Sequence, residues 1–372
     1  MSRAAATSSR LRSTILSRIE VILPVILPLL AVVLALASAS NAGASVDSLI
    51  ASRGDSLHRP TIGFTPGSAD QASEDPTFAE VTELDPEQSV ADGAYTLHQV
   101  AGLSIFVLGV LMTIILFWGR LWRIPRGRGP DWPQRPELLL FSWIILLLSA
   151  AFSALLFQQY QNEDWSLLQS RAIGMVVVYL VQGVVILILL RKLFAARRKH
   201  PTPNALVPMP VVSAIGIGLL GFLVAFPIAQ GSGMLLAWLQ EQLTDVVPDA
   251  VAHETLKALQ EHPNDRWSLL IMLLVVVAAP VVEEFSYRGL VQQGFRRLGG
   301  NRIGAVALTS VLFVLMHLPV VPAASLPSAV TTLLVLSIIL GWIYERTGRL
   351  IAPIILHGLF NATNLLLAQF AT

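Results

Sequence analysis

From about residue 96 the chain alternates long apolar runs with short polar ones. The runs lie near 98–118, 137–157, 172–190, 205–228, 267–290, 303–320, 327–343 and 350–370. Each approaches the ~20 residues that a helix needs to cross about 30 Å of hydrocarbon. The pattern predicts an all-α polytopic bundle of about eight spanning helices. The charges between the runs are sorted rather than mixed. Arg120, Arg123, Arg126, Arg128 and Arg135 follow the first run, and Glu163 and Asp164 follow the second. Arg191, Lys192, Arg197, Arg198 and Lys199 come after the third. The stretch 229–266 is mostly acidic, and basic residues return at Arg296, Arg297 and Arg302 and again at Arg346 and Arg349. Assigning the Lys/Arg loops to the cytoplasm gives a consistent alternation through all eight segments, with the C-terminus outside.

Ahead of this array, residues 1–40 carry Arg3, Arg10, Arg12 and Arg18, an apolar run from Val21 to Ala37, and then Ala37, Ser38, Ala39 and Ser40. That is the layout of a signal peptide, and equally of an uncleaved N-terminal anchor helix. Residues 41–93 hold ten Asp/Glu against two Arg, with Ser, Ala, Gly and Pro between them. They read as a flexible extracytoplasmic linker or a docking segment for a basic partner. Within 229–266, GMLLAWLQEQLTDVV spaces apolar residues helically beside charged ones. It suits a surface-lying helix or an amphipathic cap. The organisation expected is therefore 1–40 leader or anchor, 41–95 acidic linker, 96–204 accessory helices and 205–372 a functional core.

Composition supports the membrane reading. Hydrophobic residues make up 54% of the 372 and charged ones 13%, and mean hydropathy is +0.66, far from the ~25% charge of soluble domains. There are no cysteines, which excludes disulfides, thiolate metal sites and a cysteine nucleophile. Neither a Gly-rich phosphate loop nor an internal repeat is present. The basic residues sit in short runs beside apolar segments, a topology signal rather than a nucleic-acid-binding surface.

Against that background the run AAPVVEEFSYRG, Ala278 to Gly289, stands out. It places Glu283, Glu284 and Arg288 within one apolar segment, where each charge costs about 2.5–3.5 kcal/mol on insertion scales. Two further segments add His317 in FVLMH, and His357 with Asn361 in HGLFN. Measured from Arg296, Glu283 lies about 20 Å into the membrane, and His317 is similarly deep from Arg302. His357 is shallower, about 12 Å from Arg349 unless its helix is tilted. Glu284 and Arg288 form an i,i+4 pair. Glu283 points roughly 100° away and lacks that partner, the disposition of a general base. His357 and Asn361 also share a face, as do Phe313 and His317, with Phe313 an aromatic wall beneath the histidine.

Singly, each group has a bland explanation. A membrane histidine is commonly a hydrogen-bonded packing residue, a Glu–Arg pair fixes helix packing, and Asn361 and Asn364 serve as interhelical glue. That these polar groups lie on three helices of the same C-terminal third favours one site over separate packing solutions.

EEFSYR (Glu283 to Arg288), FVLMH (Phe313 to His317) and HGLFN (His357 to Asn361) together resemble the three signatures of the CPBP intramembrane protease family. That family includes the type II CAAX prenyl endopeptidases and the Abi, or bacteriocin-processing, proteins. The likeness covers roughly 205–370 and extends to the AP before the glutamates and to YERTGRLIAPIILH before the second histidine. Tyr287 departs from the Phe expected beside the arginine. The resemblance implies peptide hydrolysis within the membrane. Glu283 and His317 would activate a water, His357 and Asn361 would stabilise the oxyanion, and Glu284 and Arg288 would hold the helix. The substrate would be a membrane-associated peptide or protein with a CAAX-type tail or a leader peptide.

Glu283, His317 and His357 are also a possible zinc ligand set. The neighbouring Arg288 opposes a divalent cation and HExxH spacing is absent, so no cofactor is the expectation and zinc the alternative. Two other functions compete: a non-proteolytic immunity or scaffold protein of the same fold, and a Glu/His proton-coupled transporter. The first would not need both histidines. The second predicts polar residues spread over many helices, whereas the first four regular segments are nearly free of charge.

Overall fold

The computed structural model describes residues 97–118, 134–199, 208–244, 259, 262–299 and 301–369. The N-terminal leader or anchor and the acidic linker lie outside the described residues. Eight long helices follow one another: α1 (Leu97–Trp118), α2 (Pro136–Gln159), α3 (Leu167–Lys199), α4 (Val211–Thr244), α5 (Arg266–Gly299), α6 (Arg302–His317), α7 (Leu326–Thr347) and α8 (Ile351–Gln369). No strand occurs among the described residues. Seven of these helices, α2 to α8, are long and apolar enough to cross a membrane. In α1 the apolar stretch is the shorter Ser104–Ile115.

Local chemistry sets the helix ends. Pro136 opens α2 in the first turn, where a missing N–H costs nothing. The Asp265 side chain accepts from the Trp267 N–H to cap α5, and Asn301 accepts from Ile303 to cap α6. At the end of α7, Gly348 adopts φ 67° and returns its N–H to the Tyr344 carbonyl at 2.8 Å. This left-handed stop is one that glycine takes without strain.

Two helices are longer than the sequence pattern predicts. The third segment, expected at 172–190, runs from Leu167 to Lys199. The fourth, expected to end at 228, continues to Thr244 with Pro227 inside it. GMLLAWLQEQLT is therefore the last third of α4, not a separate surface helix or cap. Proline there removes one backbone donor, and the rest of the ladder carries on around it.

α5 occupies the middle of the bundle. Val282, Phe285, Tyr287, Leu290 and Val291 pack with Leu139, Trp143 and Leu146 of α2, Ile186 and Leu193 of α3, and Phe313 of α6. α4, α7 and α8 form a second core from Ala214, Ala225, Ala229, Leu336, Leu340, Leu356 and Phe360. The outward faces carry large apolar side chains such as Phe152, Leu180, Leu187, Leu220, Leu223 and Ile303. Glu284, Arg288, Gln292 and Glu345, by contrast, are fully enclosed. Apolar outside and ionic inside is the arrangement that a bilayer selects.

Candidate active site

α5 is not regular. Leu274–Ala278 and Phe285–Val291 are π-helical, and the short α segment Ala279–Glu284 sits between them. Pro280 contributes to the first irregularity, because it cannot donate to the carbonyl one turn back at Val276. α8 fills the breach. Asn361 Nδ2 donates to Val275 O at 2.9 Å. Gly358 approaches so closely that an added Cβ would lie 2.8 Å from Val276 O. Each π turn accommodates an extra residue and re-aims the side chains beyond it, and such turns recur at functional sites. Glu283 and Glu284 therefore end a short segment held from two sides.

The three polar segments do meet. The site is built around Glu283, whose Oε2 is enclosed and accepts no hydrogen bond from the protein. That oxygen lies 3.9 Å from His317 Nε2 and 3.9 Å from His357 Nε2. Behind each ring the other nitrogen is committed: His317 Nδ1 is 2.7 Å from Phe313 O, and His357 Nδ1 is 2.9 Å from Glu284 Oε1. A carbonyl oxygen only accepts, and Glu284, ionised against Arg288, does the same, so in both rings Nδ1 carries the proton. In its neutral Nδ1–H form each ring presents the Nε2 lone pair to Glu283. Three acceptor atoms on α5, α6 and α8 thus converge on one point, although His357 starts shallower by residue count.

The supporting residues stand where the sequence predicts, and each does more than fill space. Arg288 Nη1 reaches Glu284 Oε1 at 3.0 Å, with both side chains wholly buried. Phe313 stacks on His317 with ring centroids 4.3 Å apart, receives the edge contact of Tyr287 at 5.0 Å, and lies 5.1 Å from the Arg288 guanidinium carbon. Asn364 accepts from Gln230 of α4, an interhelical contact outside the site. Sequence reasoning missed Ser337 of α7, whose hydroxyl and carbonyl both accept from Arg288 Nη2 at 2.9 and 3.1 Å. Only its place in the four-residue series Ser337, Gly341, Glu345 hints at it.

Imidazole lone pairs with Nδ1–H bonds to a carbonyl and a carboxylate are chemistry that zinc accepts. The spacing is somewhat wider than a bound ion would leave it: ligand bonds of roughly 2.0–2.2 Å put tetrahedral neighbours about 3.3–3.6 Å apart, against 3.9 Å here. Among the described residues, no group of three or more His, Asp or Glu side chains is arranged to hold a metal.

Fold and site together define a polytopic all-α membrane protein with a carboxylate and two imidazoles gathered inside its bundle. Residues 265–363 match the family described as type II CAAX prenyl endopeptidase, Rce1-like. That segment, from α5 into α8, is similar to the Rce1-like members of the CPBP/CAAX protease family and contains every residue of the site. No curated protein and no solved structure matches the chain.

Proposed function

We propose that this chain is an intramembrane endopeptidase that hydrolyses a peptide bond of a membrane-associated substrate, either a CAAX-type tail or a leader-type peptide, without a metal. One observation supports this above the others: the lone pairs of His317 Nε2 and His357 Nε2 face the unpartnered Glu283 Oε2 at 3.9 Å each. Acceptors gathered in this way suit a water molecule about to lose a proton. Glu283, assisted by His317, takes that proton as the hydroxide oxygen adds to the scissile carbonyl.

The tetrahedral oxyanion then needs donors. Asn361 has spent one amide hydrogen on Val275 O and keeps a second. His357, with its Nδ1–H given to Glu284, donates from Nε2 only as the imidazolium, which forms when the proton taken up by Glu283 passes to Nε2, 3.9 Å away. Collapse of the intermediate breaks the C–N bond, and that same proton passes on to the leaving amine, which restores the neutral ring and the carboxylate. Removal of one oxyanion donor typically costs about 10²–10³ in rate. On this reading the protein is a multi-pass protein of the cell membrane, with its basic loops cytoplasmic and the acidic 41–93 segment outside.

The test is cleavage of a fluorogenic peptide library by the purified full chain in detergent, comparing wild type with Glu283→Gln and His317→Ala, each with and without a strong chelator. The expected result is activity that survives chelation and is lost in both variants. Activity abolished by chelator and restored by zinc would overturn the metal-free mechanism. Binding of peptides without cleavage by wild type would point to the scaffold function, and proton-coupled flux in liposomes to transport.

A further inference from the structure

Glu284, Arg288, Gln292 and Arg296 recur every four residues along α5, and Ser337, Gly341 and Glu345 recur every four residues along α7. The two series interlock. Arg288 donates to Ser337 Oγ and O at 2.9 and 3.1 Å. Gln292 Nε2 donates to Gly341 O at 3.2 Å and to Glu345 Oε1 at 3.0 Å. Arg296 Nη1 reaches Glu345 Oε2 at 3.3 Å. Gly341 permits the approach, since a Cβ there would lie 2.9 Å from Gln292 Oε1. Glu284, Arg288, Gln292 and Glu345 are 0% exposed and Ser337 is 1% exposed.

This ladder is continuous with the site. Its top rung, Arg288 on Glu284, shares the same Glu284 oxygen with His357 Nδ1. Four hydrogen-bonded groups therefore run in series from α7 through α5 to α8: Ser337, Arg288, Glu284 and His357. α7 supplies none of the groups that face the reacting point, yet it holds the residue that fixes one of them.

We propose that Ser337 is a positioning residue, and that the α5–α7 ladder sets the tautomer and ring plane of His357 through Arg288 and Glu284. A helix outside the three signature segments thereby acquires a specific task, whose catalytic consequence rests on the endopeptidase reading. With the Ser337 hydroxyl removed, Arg288 keeps only the backbone carbonyl on α7 and swings on Glu284. His357 then loses a fixed acceptor for Nδ1–H.

The experiment follows His357 without any substrate. Full-length protein in detergent is treated with diethyl pyrocarbonate, and acylation of His357 is followed by peptide mass spectrometry, with His317 of the same molecule as internal reference. His357 is 4% exposed, whereas the His317 side chain is 25% exposed, so wild type should acylate His317 first. Ser337→Ala should raise the His357 rate severalfold relative to His317 with the melting temperature unchanged. Ser337→Thr, which keeps the hydroxyl, should restore the wild-type ratio. Where wild type cleaves peptides, Ser337→Ala should lower kcat about tenfold or more with KM unchanged, the cost of a misplaced group.

An unchanged ratio in folded Ser337→Ala overturns the proposal. So does a Thr variant that behaves like Ala. If Ser337→Ala does not fold, Glu345→Gln, which loosens the lower rungs while keeping their shape, decides: a twofold or greater rise supports the ladder and none refutes it. Labelling that follows the ladder while wild type cuts no peptide would retain the positioning role and reject the endopeptidase. Cleavage that depends on Glu283 with labelling indifferent to Ser337 would do the reverse.

Discussion

Arg288 shows what one buried cation demands of its neighbours. Its guanidinium meets Glu284 at 3.0 Å, both acceptors of Ser337, and the Phe313 ring at 5.1 Å. The pair it forms with Glu284 is completely excluded from solvent, so removing one partner leaves the other charged in an apolar core. Such a loss costs about 3–5 kcal/mol, far above the ~0–1 kcal/mol of a surface ion pair. Arg288→Met should therefore destabilise the protein by about 3–5 kcal/mol. Thermal unfolding in detergent would show this as a clear loss, and a melting temperature equal to wild type would mean that the pair contributes nothing. Glu283 presents the contrasting case. Its Oε2 makes no hydrogen bond within the protein, so Glu283→Gln should leave the melting temperature within a few degrees of wild type. Peptide cleavage should fall by about 10²–10⁴, the usual worth of a general base. A variant that loses fold and activity together would make Glu283 structural rather than chemical.

At the scale of elements, the decisive contact is between α8 and the first π turn of α5. Gly358 sits one residue after His357 and three before Asn361, against the Val276 carbonyl that Pro280 leaves without its usual donor. A methyl group there would meet a backbone oxygen at 2.8 Å, and backbone cannot give way as a flexible side chain does. Gly358→Ala should cost about 1–3 kcal/mol as overpacking. It should lower cleavage disproportionately, because the displacement moves His357 and Asn361 together. Activity that declines only as far as stability does would leave the close approach without a functional role. The sequence made part of this legible. Apolar run lengths placed all eight helices, and i,i+4 spacing gave the Glu284–Arg288 pair and the Phe313–His317 face. The π turns left no such mark, because a single Pro in a membrane helix has several outcomes and the choice depends on Asn361 and Gly358 packing from α8. Counting residues from Arg349 brings His357 level with Glu283 only if α8 is tilted, since depth along one helix does not determine how two helices cross. GMLLAWLQEQLT was legible as a helix, but Pro227 and the polar residues beyond it hid that it continues α4 to Thr244.

For the whole molecule, orientation is the remaining consequence of the charge pattern, and the chain is well suited to testing it. It contains no cysteine, so a single introduced thiol is read without background. The turn between α2 and α3 exposes Asn162, Glu163 and Asp164, while α3 ends in Arg197, Arg198 and Lys199. α3 has 33 residues, about 50 Å at 1.5 Å per residue. That exceeds the ~30 Å of a bilayer core, so its ends reach both aqueous faces. If Lys and Arg concentrate on the cytoplasmic side as in other membrane proteins, Arg198 should lie inside and Asn162 outside. α4 returns the chain, and Asn264, at the entrance to α5, should share the side of Asn162. A membrane-impermeant maleimide added to intact cells should label Asn162→Cys and Asn264→Cys and leave Arg198→Cys untouched, with the order reversed in inverted vesicles. The result also bears on the site. On that orientation α5 would enter from the outer face at Arg266 and reach the inner face near Arg296, which would put Glu283 about midway along it. Labelling of Asn162→Cys and Arg198→Cys from one side would break the alternation on which that depth depends. Glu283 would then have to be sought near an interface, where a water-activating carboxylate needs no bundle to shelter it.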